Sequence, residues 1–146
     1  MSILKLGIIG GGQLGSLLSE AARSLQVETV ILTDDINAPA KNFTKNFICG
    51  NYEDEKIINE FIDKVDLITF EFENIPYKIL KNINEHKKVL PKPKTNKLIQ
   101  NRNSEKDFLN KIDIRTTLYT LIKNEEEIKL NQNLIPGILK TCTLGY

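Results

Sequence analysis

This chain has little of what most site chemistries are built from. It holds two cysteines, Cys49 and Cys142, far apart and in no C-x-x-C pair, so neither a disulfide framework nor a thiolate zinc site organises it. Reduced thiols are the reading that remains. The one histidine, His86, lies in the charged stretch Glu85 to Lys88 without a second imidazole, and reads as a solvated surface residue with no role. Arginine is confined to Arg23, Arg102 and Arg115 while lysine, asparagine and isoleucine abound, a compositional bias with no mechanism attached. Nor does one sign of charge dominate: 20 Lys and Arg stand against 19 Asp and Glu, which disfavours nucleic acid or an anionic membrane as partner. No apolar run approaches bilayer length and no basic segment precedes a long apolar stretch, so a cytoplasmic location is expected.

What is present begins near the start. The apolar run Leu4 to Ile9 flows into Gly10-Gly11-Gly12-Gln13-Leu14-Gly15 and then into a helical pattern. Glycine at positions 10 and 12 lets the backbone turn tightly and approach an anion, and Gly15 lets the helix pack on the strand. The helix opens with free N–H groups and a positive dipole end, which suits a phosphate. After the turn Leu14, Leu17, Leu18, Ala21, Ala22 and Leu25 recur at helical spacing, predicting one apolar face for a sheet.

With 146 residues, 40% hydrophobic and 27% charged, the chain suits one ordinary domain, or one domain plus a piece. Strand patterns at Leu4 to Ile9, Thr29 to Thr33, Phe47 to Cys49, Leu67 to Phe70 and Lys88 to Leu90 alternate with helical ones at Gln13 to Leu25, Asp54 to Lys64 and Tyr77 to Glu85. Such alternation predicts an α/β fold: a Rossmann-like parallel sheet with helices on both faces. Pro39 and Pro76 fall in loops, and around Pro91-Lys92-Pro93-Lys94 the pattern breaks into a polar stretch, the candidate domain boundary. Beyond it come a helix near Ser104 to Lys111, a strand Thr117 to Leu121, a helix opened by Asn124 and Glu125, and a strand Gly137 to Thr141. About 50 such residues do not readily bury a core of their own.

Ligands of open parallel sheets bind beyond the carboxyl ends of the strands, at the switch point in strand order. The glycine turn, Asp34 and Asp35, and Glu71-Phe72-Glu73-Asn74 all share that edge. In a continuing strand Glu71 and Glu73 would point to one side and Phe72 to the other. Asp34 lies about 20 residues past the turn, where dinucleotide folds place a ribose-binding acid. An NAD-binding domain of a dehydrogenase therefore stands as one alternative, although no base or relay is placed for hydride transfer. A non-catalytic nucleotide-binding module is the other.

The ordered set of Gly10-Gly11-Gly12-Gln13-Leu14-Gly15, Asp34 with Pro39-Ala40, Thr69-Phe70-Glu71-Phe72-Glu73-Asn74-Ile75-Pro76, Gln100-Asn101-Arg102 with Glu105-Lys106, and Leu139-Lys140-Thr141 with Leu144-Gly145-Tyr146 resembles a known family. It is similar, along the whole chain, to the N-terminal part of the 5-(carboxyamino)imidazole ribonucleotide synthases, ATP-grasp ligases of purine biosynthesis. The resemblance implies a substrate-binding pre-ATP-grasp domain over residues 1–92, and a linker with the truncated beginning of an ATP-grasp domain over 93–146. It implies that the turn at Gly12, Gln13 and Leu14 binds the 5′-phosphate of aminoimidazole ribonucleotide, that Glu71 accepts a hydrogen bond from the substrate's amino side, and that Glu73 supports it. Tyr146 would line the site, and Arg102 and Lys140 would reach the ATP phosphates. ATP and Mg²⁺ would activate bicarbonate for transfer to the substrate amine, with the metal ligands expected after Tyr146, so this chain alone is expected to be inactive. No catalytic residue and no metal ligand is assigned within it. Enzymes of that family are commonly dimers, which makes a homodimer one of the implied partners.

Overall fold

The computed structural model describes residues 3–144. Its described chain divides into two compact units, Met1–Asn96 and Lys97–Tyr146. In the first, four strands form one parallel sheet: β1 (Lys5–Ile9), β2 (Glu28–Thr33), β3 (Asn46–Cys49) and β4 (Leu67–Phe70), in the order β3-β2-β1-β4. The chain winds outward from β1 through β2 to β3, then returns to lay β4 on the other side of β1. That reversal puts the switch point between β1 and β4. In register, Ile9 sits between Leu32 and Phe70. The sequence expectation of an α/β parallel sheet with helices on its faces holds.

Side chains alternate across the sheet. Ile9, Val30, Leu32 and Ile68 enter the larger core, which α2 (Glu55–Asp63) and α3 (Tyr77–His86) close with Ile58, Phe61, Ile62, Leu80 and Ile83. Asp54 caps α2 by accepting a hydrogen bond from Lys56 N at 2.9 Å, and the Ile57–Ile58–Phe61–Ile62 stripe packs as its spacing predicts. Ile8, Ile31 and Ala40 make a thinner core on the other face.

α1 (Gln13–Ser24) corrects the prediction. Its leucines do not face the sheet: Leu14, Leu17 and Leu25 are 58%, 53% and 75% exposed. The buried face is Gly15, Ser16, Ser19 and Ala22. Small residues let the helix approach closely, and each serine satisfies its hydroxyl within the helix, Ser16 Oγ to Gly12 O at 3.1 Å and Ser19 Oγ to Gly15 O at 2.9 Å.

Three further expectations change. Residues 88–90 form no strand but a single parallel bridge, Ile68 to Val89. Pro39 starts a 3₁₀ helix, Pro39–Phe43, its fixed φ suiting a first helical position. The break at residues 91–94 runs into α4 (Pro93–Ile99), whose fully buried Asn96 donates its amide to Ile75 O at 3.1 Å and so anchors the loop after β4.

The second unit contains α5 (Arg102–Lys111), capped by the Asn101 side chain, and α6 (Glu125–Leu130), capped by Asn124. No described residue of this unit is fully buried. The predicted strands at 117–121 and 137–141 join no ladder, because no strand among the described residues pairs with either segment. Side chains of α5 hold the first of them instead: Lys106 Nζ donates to Thr117 Oγ1 at 2.8 Å, and Tyr119 donates its hydroxyl to Asp107 at 2.6 Å.

Candidate functional site

At the end of β1, Gly10 takes φ = +111°, a conformation L side chains rarely adopt, while its N–H still donates to Leu32 O at 2.8 Å. The turn is shaped around one side chain. Glu71, the first residue after β4, donates its N–H to Ile9 O at 3.0 Å, and its Oε1 accepts the Gly12 N–H at 2.9 Å. A Cβ at Gly10, Gly12 or Gly15 would lie 2.7, 3.2 or 3.5 Å from that same oxygen. All three glycines of the G-x-G-x-x-G spacing therefore abut Glu71. Gly11 is pressed from the other side, where a Cβ would meet Ala38 at 2.7 Å, and its carbonyl accepts the Ala40 N–H at 3.0 Å.

Between these elements lies a cavity of about 220 Å³ lined by Gly10 to Gly12, Thr33, Asp34, Asp35, Tyr52, Glu71 and Phe72, with Ala38 and Pro39 at its wall. Its titratable lining is three carboxylates and one phenol, with no lysine, arginine or histidine. Two of the carboxylates have local partners: Asp34 accepts from the Tyr52 hydroxyl at 3.4 Å, and Asp35 accepts from Asn37 N at 2.8 Å in a tight turn. Burial, with the Asp34 charge beside it, pushes the Tyr52 phenol up to about 12, so at neutral pH it keeps the proton that it donates to Asp34. Glu71 Oε2 accepts no hydrogen bond from any described residue. It is available to a ligand donor.

Gln13 and Leu14, exposed at the start of α1, do not line the cavity but stand at its glycine edge. With Gly15 they precede the first intrahelical bond, Ser16 N to Gly12 O at 3.1 Å, so their N–H groups form the polar end of the helix. Since β4 stops at Phe70 and the chain turns, the strand alternation expected for Glu71 and Glu73 does not continue. Glu71 and Phe72 line the cavity; Glu73, which accepts the Asn74 amide at 3.0 Å, does not. Arg102 and Lys140 belong to the second unit, where Arg102 donates its N–H to Cys142 O at 2.9 Å and its guanidinium to Thr141 O at 3.4 Å, one residue from Lys140. Tyr146 lies outside the described residues. Tyr52 is the titratable cavity residue that sequence reading missed; its signal was its place three residues past the short strand that ends at Cys49, on the same carboxyl edge.

Among the described residues no group of three or more His, Cys, Asp or Glu is placed to hold a metal ion, and no helix is long and apolar enough to cross a membrane.

A family model described as the ribonucleotide synthetase preATP-grasp domain matches residues 3–100. The chain is similar to N5-carboxyaminoimidazole ribonucleotide synthase of Brucella melitensis, 38% identical over 143 residues that cover 97% of this chain and 40% of that protein. Among solved structures, N5-carboxyaminoimidazole synthetase from Staphylococcus aureus complexed with ADP superimposes with a TM-score of 0.81 at 30% identity, over 91% of this chain and 36% of that one. The Aspergillus clavatus N5-carboxyaminoimidazole synthase in complex with ADP and 5-aminoimidazole ribonucleotide gives 0.76 at 28% identity, again over 91% and 36%. The chain thus spans about two-fifths of the length of the curated relatives it matches. With residues 3–100 matched by the family model and the same fold in these structures, the chain belongs to the family of ribonucleotide synthetase preATP-grasp domains.

Proposed function

We propose that this chain is the substrate-side part of an ATP-dependent ligase that carboxylates aminoimidazole ribonucleotide with bicarbonate, giving N5-carboxyaminoimidazole ribonucleotide in cytoplasmic purine biosynthesis. One observation carries the reading. Glu71 is fixed by the Gly12 N–H through one oxygen and presents the other, which accepts from no described residue, beside the open N–H end of α1. A ligand with a phosphate at one end and an amine at the other matches that pair of features. The 5′-phosphate would sit on the N–H groups of Gln13 and Leu14, where the helix dipole favours it. The exocyclic amine would donate to Glu71, which thereby orients its lone pair for attack. Gly12 contributes bare backbone rather than a free N–H, and Glu73 supports the loop through Asn74.

The nucleotide half of the reaction falls to the second unit. Arg102 and Lys140 are the cations proposed to meet ATP phosphates, where positive charge offsets crowded negative charge. ATP supplies the phosphoryl group that turns bicarbonate into an electrophile. Among the described residues no group of three or more His, Cys, Asp or Glu is placed to hold a metal ion, and the Mg²⁺ that would accompany ATP is assigned no ligand here. Because relatives are about two and a half times as long, this span by itself is proposed to bind the ribonucleotide without turning it over. A homodimer is also proposed, with the exposed leucines of α1 as the apolar surface that a second copy would cover.

Calorimetric titration tests the reading. Aminoimidazole ribonucleotide should bind the chain and NAD should not, and Glu71→Gln should weaken the ribonucleotide. Binding of NAD alone would return the glycine turn to a dinucleotide role and defeat the proposal.

A further inference from the structure

In dinucleotide folds the pyrophosphate lies against the bare backbone of the G-x-G-x-x-G turn, in contact with the first N–H groups of the following helix. In this chain that volume is filled from within. Glu71 Oε1 holds the Gly12 N–H at 2.9 Å and stands where a Cβ on Gly10 or Gly12 would crowd it, at 2.7 or 3.2 Å. The rest of the cavity compounds the effect, since Asp34 and Asp35 line it and no lysine, arginine or histidine among the described residues does. A pyrophosphate entering would have to displace a carboxylate from its hydrogen bond, or sit within a few ångströms of it, like charge against like in a partly dry site. A single phosphate escapes both costs by staying outside, on Gln13 and Leu14.

We propose that Glu71 is the specificity-determining residue of this turn: its carboxylate occupies the pyrophosphate seat, so the site accepts a nucleoside monophosphate and rejects dinucleotides. The same fingerprint that in isolation suggests NAD is made selective against it by one side chain from the neighbouring strand. The inference rests on reading the cavity as a ribonucleotide site, but concerns what Glu71 excludes rather than what it holds. Asp34, at the position of a ribose-binding acid and fixed by Tyr52, leaves the remainder of a dinucleotide site in place. Removing Glu71 should therefore uncover it.

The experiment is a calorimetric titration of the whole chain with NAD and, separately, with aminoimidazole ribonucleotide, for the unsubstituted protein, Glu71→Ala and Glu71→Gln. Glu71→Ala should lower the NAD dissociation constant at least about tenfold, and Glu71→Gln, which removes the charge but keeps an acceptor for Gly12, by a smaller factor. Both variants should weaken the ribonucleotide. NAD affinity unchanged in variants whose far-UV circular dichroism and urea midpoint report a folded chain overturns the proposal, as does tight NAD binding by the unsubstituted protein. If Glu71→Ala does not fold, Glu71→Gln decides alone: a gain in NAD affinity upholds the exclusion and no change refutes it. If the unsubstituted chain fails to bind the ribonucleotide while NAD binding still appears in the variants, the ribonucleotide reading falls and the exclusion by Glu71 stands.

Discussion

Replacing Gly10 with alanine strikes the site and the fold together, and the structure sets the size of the effect. At φ = +111° the new Cβ forces the backbone into a strained region, a cost of about 1–3 kcal/mol. That Cβ would also lie 2.7 Å from Glu71 Oε1 and 2.9 Å from both Cδ and Cγ. Three atoms of one side chain are struck at once, so Glu71 must swing away and surrender the Gly12 N–H. A charge-assisted bond of this kind is worth about 1.5–3 kcal/mol; since Glu71 is only half-buried, water recovers part of it, leaving a loss of about 1 kcal/mol. Alanine restricts the unfolded chain and returns about 0.4–1 kcal/mol. The net expectation is about 2–3 kcal/mol of destabilisation. Gly12→Ala is the control: its backbone is at φ = −71° and its Cβ would stand 3.2 Å from the same oxygen, so it should cost less than about 1 kcal/mol. Urea unfolding followed by circular dichroism measures both, and the double variant Gly10→Ala/Glu71→Ala isolates the clash, because removing Glu71 should restore part of the loss. A Gly10→Ala variant as stable as Gly12→Ala, or additive with Glu71→Ala, would refute the claim that the turn is shaped around Glu71.

Three other outcomes follow from the same geometry. Phe61, fully buried beneath Gly7, should cost about 3–5 kcal/mol when changed to alanine, measured by the same urea titration. Tyr52 ionises at about 12 in the folded chain against 10 for an ordinary phenol, so its contribution is complete below pH 10 and is lost as pH rises from 10 towards 12. Stability of Tyr52→Phe should therefore fall less over that window, read as urea midpoint against pH. Asn101→Ala removes a side chain that accepts from Asn103 N and Ser104 N at 3.0 and 3.1 Å, and should cost about 1 kcal/mol with a visible loss of helical signal from α5.

Much of the fold was readable where local and long-range demands agreed. Leu67–Phe70 begins and ends where its pattern does, and the α2 stripe faces the core it was built for. α1 misled because periodicity reports that a helix has two faces, not which one a sheet will take. Close packing beneath the 3₁₀ helix favoured Gly15, Ser19 and Ala22 over leucine, and serines whose hydroxyls bond within the helix lose little by burial. The segments at 117–121 and 137–141 carry strand composition, but a strand exists only with a neighbour, which composition does not supply. At the site, the glycine turn, Asp34 and Glu71 were placed on one edge by topology alone. That Glu71 touches the turn, that Phe72 rather than Glu73 follows it into the cavity, and that Tyr52 reaches Asp34 depend on where the chain bends after β3 and β4.

Fifty-nine residues separate Gly12 from the carboxylate that holds it. The glycine turn, apparently the most local of motifs, therefore cannot acquire its final shape when β1 and α1 first meet. It must wait for the chain to pass through β2, β3 and α2 and bring β4 home beside β1, one of the costlier loop closures in the sheet. During folding the site should be among the last parts to mature, and a chain interrupted before Glu71 would carry the glycine sequence in full while its loop sampled many conformations. The ligand affinity proposed for this unit would consequently report on completion of the sheet.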